Sequence, residues 1–291
     1  MKQLPLLFLL LALLFVAQAS AQSSVWKVTD GESTLYLGGT CHLLRPADFP
    51  LPAEFNYAYQ ATDSLVFEID PTVANDPAFA MTLLAKSRYS DGRSLKTVLS
   101  DEAYDALATQ ARTSGLPIEM LDGLKPGMAV MMLTIQELTR AGVTSEGVDL
   151  HYAKRGKADG KTIAALETPD FQIDLIANMG EGKENELILY GLQDLDQIKT
   201  GFDQLIRAWR SGNMEALEAL FIEDMRKFPE IYAALLSDRN ANWIPQIKAM
   251  FETPETEFVL VGVGHIPGPD GLLTLLEKEG YTITQINSST D

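Results

Sequence analysis

Two of the three histidines in this 291-residue chain sit in the same local pattern, an apolar run followed by a glycine turn. One is Thr34-Leu35-Tyr36-Leu37-Gly38-Gly39-Thr40-Cys41-His42, and the other is Phe258-Val259-Leu260-Val261-Gly262-Val263-Gly264-His265. Glycine allows a sharp departure from a strand and a close approach of backbone to ligand. Open α/β sheets bind ligands beyond the carboxyl ends of their strands. Two such turns, far apart in the chain, form one site if their strands lie close in the sheet. Imidazole there serves either as a metal ligand or as an acid–base group.

Two carboxylates share this placement. Glu68 follows the apolar run Ser64-Leu65-Val66-Phe67, and Glu167 follows Thr162-Ile163-Ala164-Ala165-Leu166. Two histidines with one or two carboxylates suit a divalent metal with open coordination positions. The same set also performs metal-free His/Glu hydrolysis. A lone histidine after a strand is more often structural than catalytic, but a matched pair in glycine turns argues for function. Glu68 alone reads equally as a capping or solvated carboxylate. Glu167 is the weaker of the two, because Thr168-Pro169 behind it is a helix-start signal. His151 lies in a polar segment with Lys154 and Arg155 and reads as a surface residue. Cys41, the single cysteine, excludes an intrachain disulfide and reads as a small buried filler rather than a ligand or nucleophile. Gly262-Val263-Gly264 is no dinucleotide loop: its third glycine, Gly268, comes one residue late, and no acidic residue follows about 20 positions on. The chain has no Gly-x-Ser-x-Gly elbow, phosphate-binding lysine loop or His-Glu-x-x-His helix.

These residues need a sheet to position them. Ser24 to Val28 and Ser33 to Leu37 are β-rich runs around an Asp30-Gly31 hairpin signal. Pro52 to Thr62 predicts a helix, Ser64 to Phe67 a buried strand and Lys161 to Leu166 another strand. Helices are predicted over Asp101 to Thr113 with Ser100 as cap, Pro126 to Ala141, Ser145 to Lys157, from Thr168-Pro169 onward, and between about Glu184 and Met225. Met128, Met131 and Met132 read as core filler rather than a metal box. Pro229 to Met250 predicts a helix bent or divided at Pro245. The chain closes with a strand (Glu257 to Val261), a helix (Gly271 to Glu279) and a strand (Tyr281 to Gln285), a β-α-β signal. The expected fold is α/β: a mixed sheet flanked by helices, with a central helical insertion. Residues 22–291 read as a single domain, without tandem repeats or a low-complexity linker.

Residues 1–21 read as a secretory signal peptide, with Lys2, an apolar run from Leu4 to Ala17 and small residues at Ala19 and Ala21 before the expected cleavage. The run is shorter than the roughly 20 residues of a membrane span. The expected location is therefore periplasmic or secreted, with no stable membrane anchor after cleavage. A formal net charge of −17 without a basic stripe argues against nucleic-acid binding.

Taken in order, these motifs resemble the TraB/GumN family, which includes the Tiki-type proteases. The resemblance rests on Val25-Trp26-Lys27-Val28, Leu37 to His42, Phe67-Glu68-Ile69-Asp70, Gly147-Val148-Asp149 and Leu166-Glu167-Thr168 with Gln172. Arg239-Asn240 with Trp243, and Val261 to His265 with Gly268 and Gly271, complete it. It implies a hydrolase-like site in which His42, His265 and Glu68 hold or surround a divalent metal, manganese or cobalt favoured and zinc admissible. On the hydrolase reading, Glu68 or Glu167 is expected to act as ligand or general base, Arg239 to stabilise developing negative charge and Asn240 to orient substrate. The expected function is an exported metal-dependent hydrolase, a peptidase first, acting on a peptide or small molecule. Two alternatives stay open: a non-enzymatic protein that captures a peptide, haem or metal, and a metal-free His/Glu hydrolase.

Overall fold

The computed structural model describes residues 22–73, 76–193, 195, 198–223 and 225–287. The signal-peptide reading of residues 1–21 lies outside them. Strands β1 (Gln22–Thr29), β2 (Thr34–Thr40), β3 (Ser64–Phe67), β4 (Thr162–Ala165), β5 (Glu257–Gly262) and β6 (Thr282–Asn287) form one sheet in the order β4-β3-β5-β2-β1-β6. The expected hairpin joins β1 to β2, antiparallel, through a turn in which Gly31 has φ 103°. β4, β3, β5 and β2 run parallel. Leu260 pairs with both Gly38 and Phe67, and Phe67 also pairs with Ala165, so the carboxyl ends of all four strands are level.

Alternation along these strands feeds two cores. Val25, Tyr36, Leu65, Phe67, Phe258 and Leu260 face one side, against the helices Ala53–Gln60, Val148–Asp159 and Ile198–Ser211. Trp26, Leu35, Leu37, Val66, Val259 and Val261 face the other, against the helices Asp238–Met250 and Leu272–Lys278. Burying each such side chain stabilises the fold by about 1.5–3 kcal/mol. A one-residue slip would turn every one of them to the wrong face.

The insertion between β3 and β4 builds a third core from helices including Asp101–Thr113 and Pro126–Arg140, joined by Glu184–Gln193 from the β4–β5 connection. Ser100 caps the first of these by accepting the Ala103 N–H at 3.2 Å. Met128 lies in this core, and Met131 and Met132 pack against it, as expected of filler. The α/β architecture with a helical insertion is therefore as the sequence predicts.

Two local expectations change. The helix expected from Ser145 begins at Val148, because Gly147 lies against the Cys41–His42 backbone; a Cβ on Gly147 would sit 2.1 Å from the His42 carbonyl oxygen. The Pro229–Met250 segment is divided not at Pro245 but at a π-helical turn, Ala233–Ser237; Pro245 lies inside the Asp238–Met250 helix. Such single-turn widenings are frequent at functional sites, and Arg239 lies two residues beyond this one. The closing β-α-β unit is present as expected, with β2 and β1 lying between its two parallel strands, β5 and β6. Among the described residues, no helix is long and apolar enough to cross a membrane.

Candidate functional site

The level carboxyl ends of β2, β5, β3 and β4 bring His42, His265, Glu68 and Glu167 to one edge of the sheet. The β3–β4 pairing continues past both strands, with Leu166 N donating to Phe67 O and Glu167 N to Glu68 O, each at 2.8 Å. The two glutamates thus lie side by side. Glu68 Oε1 accepts the Gly262 N–H at 2.7 Å, tying β3 to the second glycine turn.

Arg239 sits between the carboxylates. Its Nε and Nη2 donate to Glu167 Oε1 and Oε2 at 2.8 and 2.9 Å, a bidentate pair. Nη2 also donates to Glu68 Oε2 at 2.5 Å. Nη1 donates to Leu235 O in the π-helical turn and to His265 Nε2, both at 3.0 Å. A guanidinium has five N–H donors, and these contacts use them all. The Trp243 ring lies 4.8 Å from the guanidinium carbon, and its Nε1 donates to Glu167 Oε1 at 3.0 Å. Gln172 Nε2 bridges Glu68 Oε2 and Glu167 Oε2 at 3.2 and 3.1 Å.

The hydrogen bonds assign the His265 tautomer. Asn240 Nδ2 donates to the His265 and Asp270 carbonyls at 3.2 and 2.8 Å, so Asn240 Oδ1 faces His265 Nδ1 at 2.7 Å and must accept from it. Nε2 then carries the lone pair that receives Arg239. Burial, with the charges of Arg239 and His42, pulls the His265 pKa down to about 3, so the ring is neutral. Burial alone would raise the Glu68 pKa, but the opposing charges of Arg239 and His42, with the Gly262 N–H, hold it below the carboxylate range.

His42 occupies the open end. Its Nδ1 lies 2.9 Å from Asp149 Oδ2, and Thr40 Oγ1 donates to Asp149 Oδ1 at 2.7 Å. Asp149 stands in the first turn of the Val148–Asp159 helix, and the Val148 N–H donates to Cys41 O at 3.0 Å. The Asp149 carboxylate raises the His42 pKa to about 9. The His42 side chain is 60% exposed, whereas that of His265 is 5% exposed. His42 Nε2 points at Glu68 Oε1 across 4.0 Å. Gly262 keeps the intervening space clear: a Cβ there would lie 3.1 Å from Nε2 and 3.2 Å from Oε1. The space opens into a cleft of about 320 Å³ lined by His42, Glu68, Asp149, Gln172, Leu43, Ile69, Pro71, Leu150 and Ser145.

The donor chemistry fits a divalent ion held by two groups, His42 Nε2 and Glu68 Oε1. Metal-bound imidazoles ordinarily donate their other N–H to a carboxylate, as His42 does to Asp149. His265 Nε2 is 3.8 Å from the same Glu68 oxygen, but it accepts from Arg239. Accordingly, among the described residues, no group of three or more His, Cys, Asp or Glu side chains is arranged to hold a metal.

Every residue singled out in the sequence (His42, His265, Glu68, Glu167, Arg239 and Asn240) therefore lies in one connected cluster. Within it, Asn240 has interior partners, and Arg239 is not itself in the cleft lining but reaches it through Glu68. Sequence reasoning gave no role to Asp149 or Thr40, and read Gly262 only as a turn residue, not as the glycine that keeps the His42–Glu68 gap clear. The signal for Asp149 was a glycine followed two residues later by an acid at a helix start. His151 is not a surface residue: it is half-buried with its ring 5.7 Å from Phe49, and burial lowers its pKa. Cys41 is buried, which pushes its thiol pKa well up, as suits a filler.

Residues 24–285 match the model of the TraB/PrgY/gumN family, and the chain belongs to that family. It is also 22% identical over 325 residues to the protein named Metalloprotease TIKI2 of Danio rerio, covering 92% of this chain and 62% of that protein. The chain thus spans less than two thirds of that relative's length. No solved structure matches.

Proposed function

We propose that this protein is a divalent-metal-dependent hydrolase, a peptidase by class, whose reacting centre lies between His42 and Glu68. One observation carries the reading: His42 Nε2 and Glu68 Oε1 face each other at 4.0 Å in the lining of an open cleft. A relative named as a metalloprotease supports the class. A divalent ion at that position supplies Lewis acidity to a carbonyl oxygen and to water.

The chain's own residues do the rest. Asp149 fixes the His42 ring with Nε2 toward the cleft. Gly262 holds Glu68 Oε1 in place, and Arg239 keeps Glu68 ionised, so that this oxygen is available as a ligand or as a proton acceptor. Glu167 and His265 orient Arg239. His265 Nε2 is the third donor if Arg239 withdraws from it. Manganese or cobalt is the proposed ion, with zinc as the competitor in the test. The proposed substrate is a peptide, and the proposed place of action is the periplasm or the exterior, after removal of residues 1–21. Sequencing the N-terminus of the exported protein tests that last point.

The deciding experiment is metal titration of the purified protein with peptide hydrolysis as readout, beside His42→Ala and Glu68→Gln. Binding and turnover that both disappear in the variants support the proposal. Full activity after exhaustive chelation would instead favour the metal-free reading. That reading draws on the Asp149–His42 pair, whose Nε2 is placed to act as a base on water once the ring loses its proton, near pH 9. Tight ligand binding without turnover under every metal would favour capture.

A further inference from the structure

The cleft has two kinds of lining. Its polar residues are His42, Glu68, Asp149, Gln172 and Ser145. Its aliphatic residues are Leu43, Ile69, Pro71 and Leu150, all only half-buried. The pairing is systematic: Leu43 follows His42, Ile69 follows Glu68, and Leu150 follows Asp149. Each of three separate segments therefore delivers one polar group and one aliphatic side chain to the cleft lining. Contiguous apolar surface beside convergent polar groups is the usual make-up of a ligand pocket. Ile69 and Leu150 belong to none of the apolar cores, so the cleft is the place where they meet a partner.

We infer that this cleft selects a peptide with a large apolar side chain beside the reacting bond, and that Ile69 and Leu150, with Leu43 and Pro71, determine the selection. The cleft volume of about 320 Å³ lies at the small end of ligand pockets, roughly 300–1,000 Å³. That admits one side chain and its flanking peptide unit rather than a long segment. An acidic side chain in the same place would face Glu68 and Asp149, on a chain of net charge −17. The inference rests on the peptidase reading for the bond that breaks, but selection is a property of binding and is measured apart from it.

The test uses the mature protein and a series of fluorescent peptides that vary one residue through Leu, Phe, Ser, Lys and Glu. Binding is measured to the wild type and to Glu68→Gln, and cleavage is measured with manganese or cobalt. The expected result is that Leu and Phe peptides bind at least about tenfold tighter than Ser and Glu peptides, the discrimination apolar pockets achieve. Ile69→Ser and Leu150→Ser should each erode that ratio. Leu150→Arg should improve binding of the Glu peptide, a gain that misfolding cannot mimic. Equal binding across the series, or ratios untouched by all three variants, would overturn the inference. Selective binding without cleavage of any peptide would uphold it and remove the hydrolase reading instead.

Discussion

The two glycine turns leave adjacent parallel strands and deliver a histidine to the same carboxylate, yet they end in opposite electrostatic states. His42 has a carboxylate behind Nδ1 and open space before Nε2, and its pKa rises to about 9. His265 has an amide behind Nδ1 and a guanidinium before Nε2 in a dry interior, and its pKa falls to about 3. A shared motif therefore does not mean a shared role. The partner on the far ring nitrogen and the access of water decide whether the imidazole is exposed for chemistry or locked as a strut. Arg239 marks the boundary: on its inner side every polar atom is spoken for, and on its outer side the His42–Glu68 gap is open.

Removing the strut side should cost stability most. Arg239→Met leaves two buried carboxylates facing each other without their cation, an expected loss of about 3–5 kcal/mol in denaturant unfolding. A loss below about 1 kcal/mol would show that the cluster is wetter than its 8% side-chain exposure implies. His42→Ala should do the reverse. Hydrolysis should fall about 10²–10⁴-fold, while the unfolding midpoint stays close to that of the wild type. Parallel collapse of both properties in this variant would erase the distinction between the two turns.

Asn240→Ala sharpens the comparison from inside. It strips the acceptor from His265 Nδ1 and should cost about 1–3 kcal/mol, with activity lost only in proportion to misplacement of Arg239. Gly262→Ala probes the gap itself. The Gly262 backbone, at φ −51° and ψ 134°, suits alanine, so the protein should fold normally. The added methyl would stand between His42 Nε2 and Glu68 Oε1, and metal affinity and turnover should drop by about tenfold or more. Unchanged affinity would place the ion elsewhere.

The smallest effect is spectroscopic. In chelated protein, the His42 ring should titrate near pH 9, and the His265 ring should show no titration above about pH 5 in NMR spectra. The sign for stability follows from the raised value. The Asp149–His42 pair contributes fully below about pH 6.5, the ordinary value, and that contribution is lost as pH rises through about 9. A His42 midpoint near 6.5 would mean that Asp149 does not hold the ring.

Much of this was legible in local sequence. Continuous short apolar runs end in Gly-x-x-His or in Glu, and that alone places His42, His265, Glu68 and Glu167 at strand ends, because strand propensity and glycine's turn preference act over a few residues. The α/β class follows from the same rules. The inserted position of β5 between β2 and β3 was not legible, and it is what makes distant turns neighbours. The division of Pro229–Met250 at Ala233–Ser237 rather than at Pro245, the seating of Asp149 on Gly147 and the saturation of Arg239 were equally hidden. So was the contrast between the two histidines. Each depends on which groups converge from remote parts of the chain. Desolvation and Coulomb energy are set by that convergence and not by the residues on either side, so only the tertiary structure could decide them.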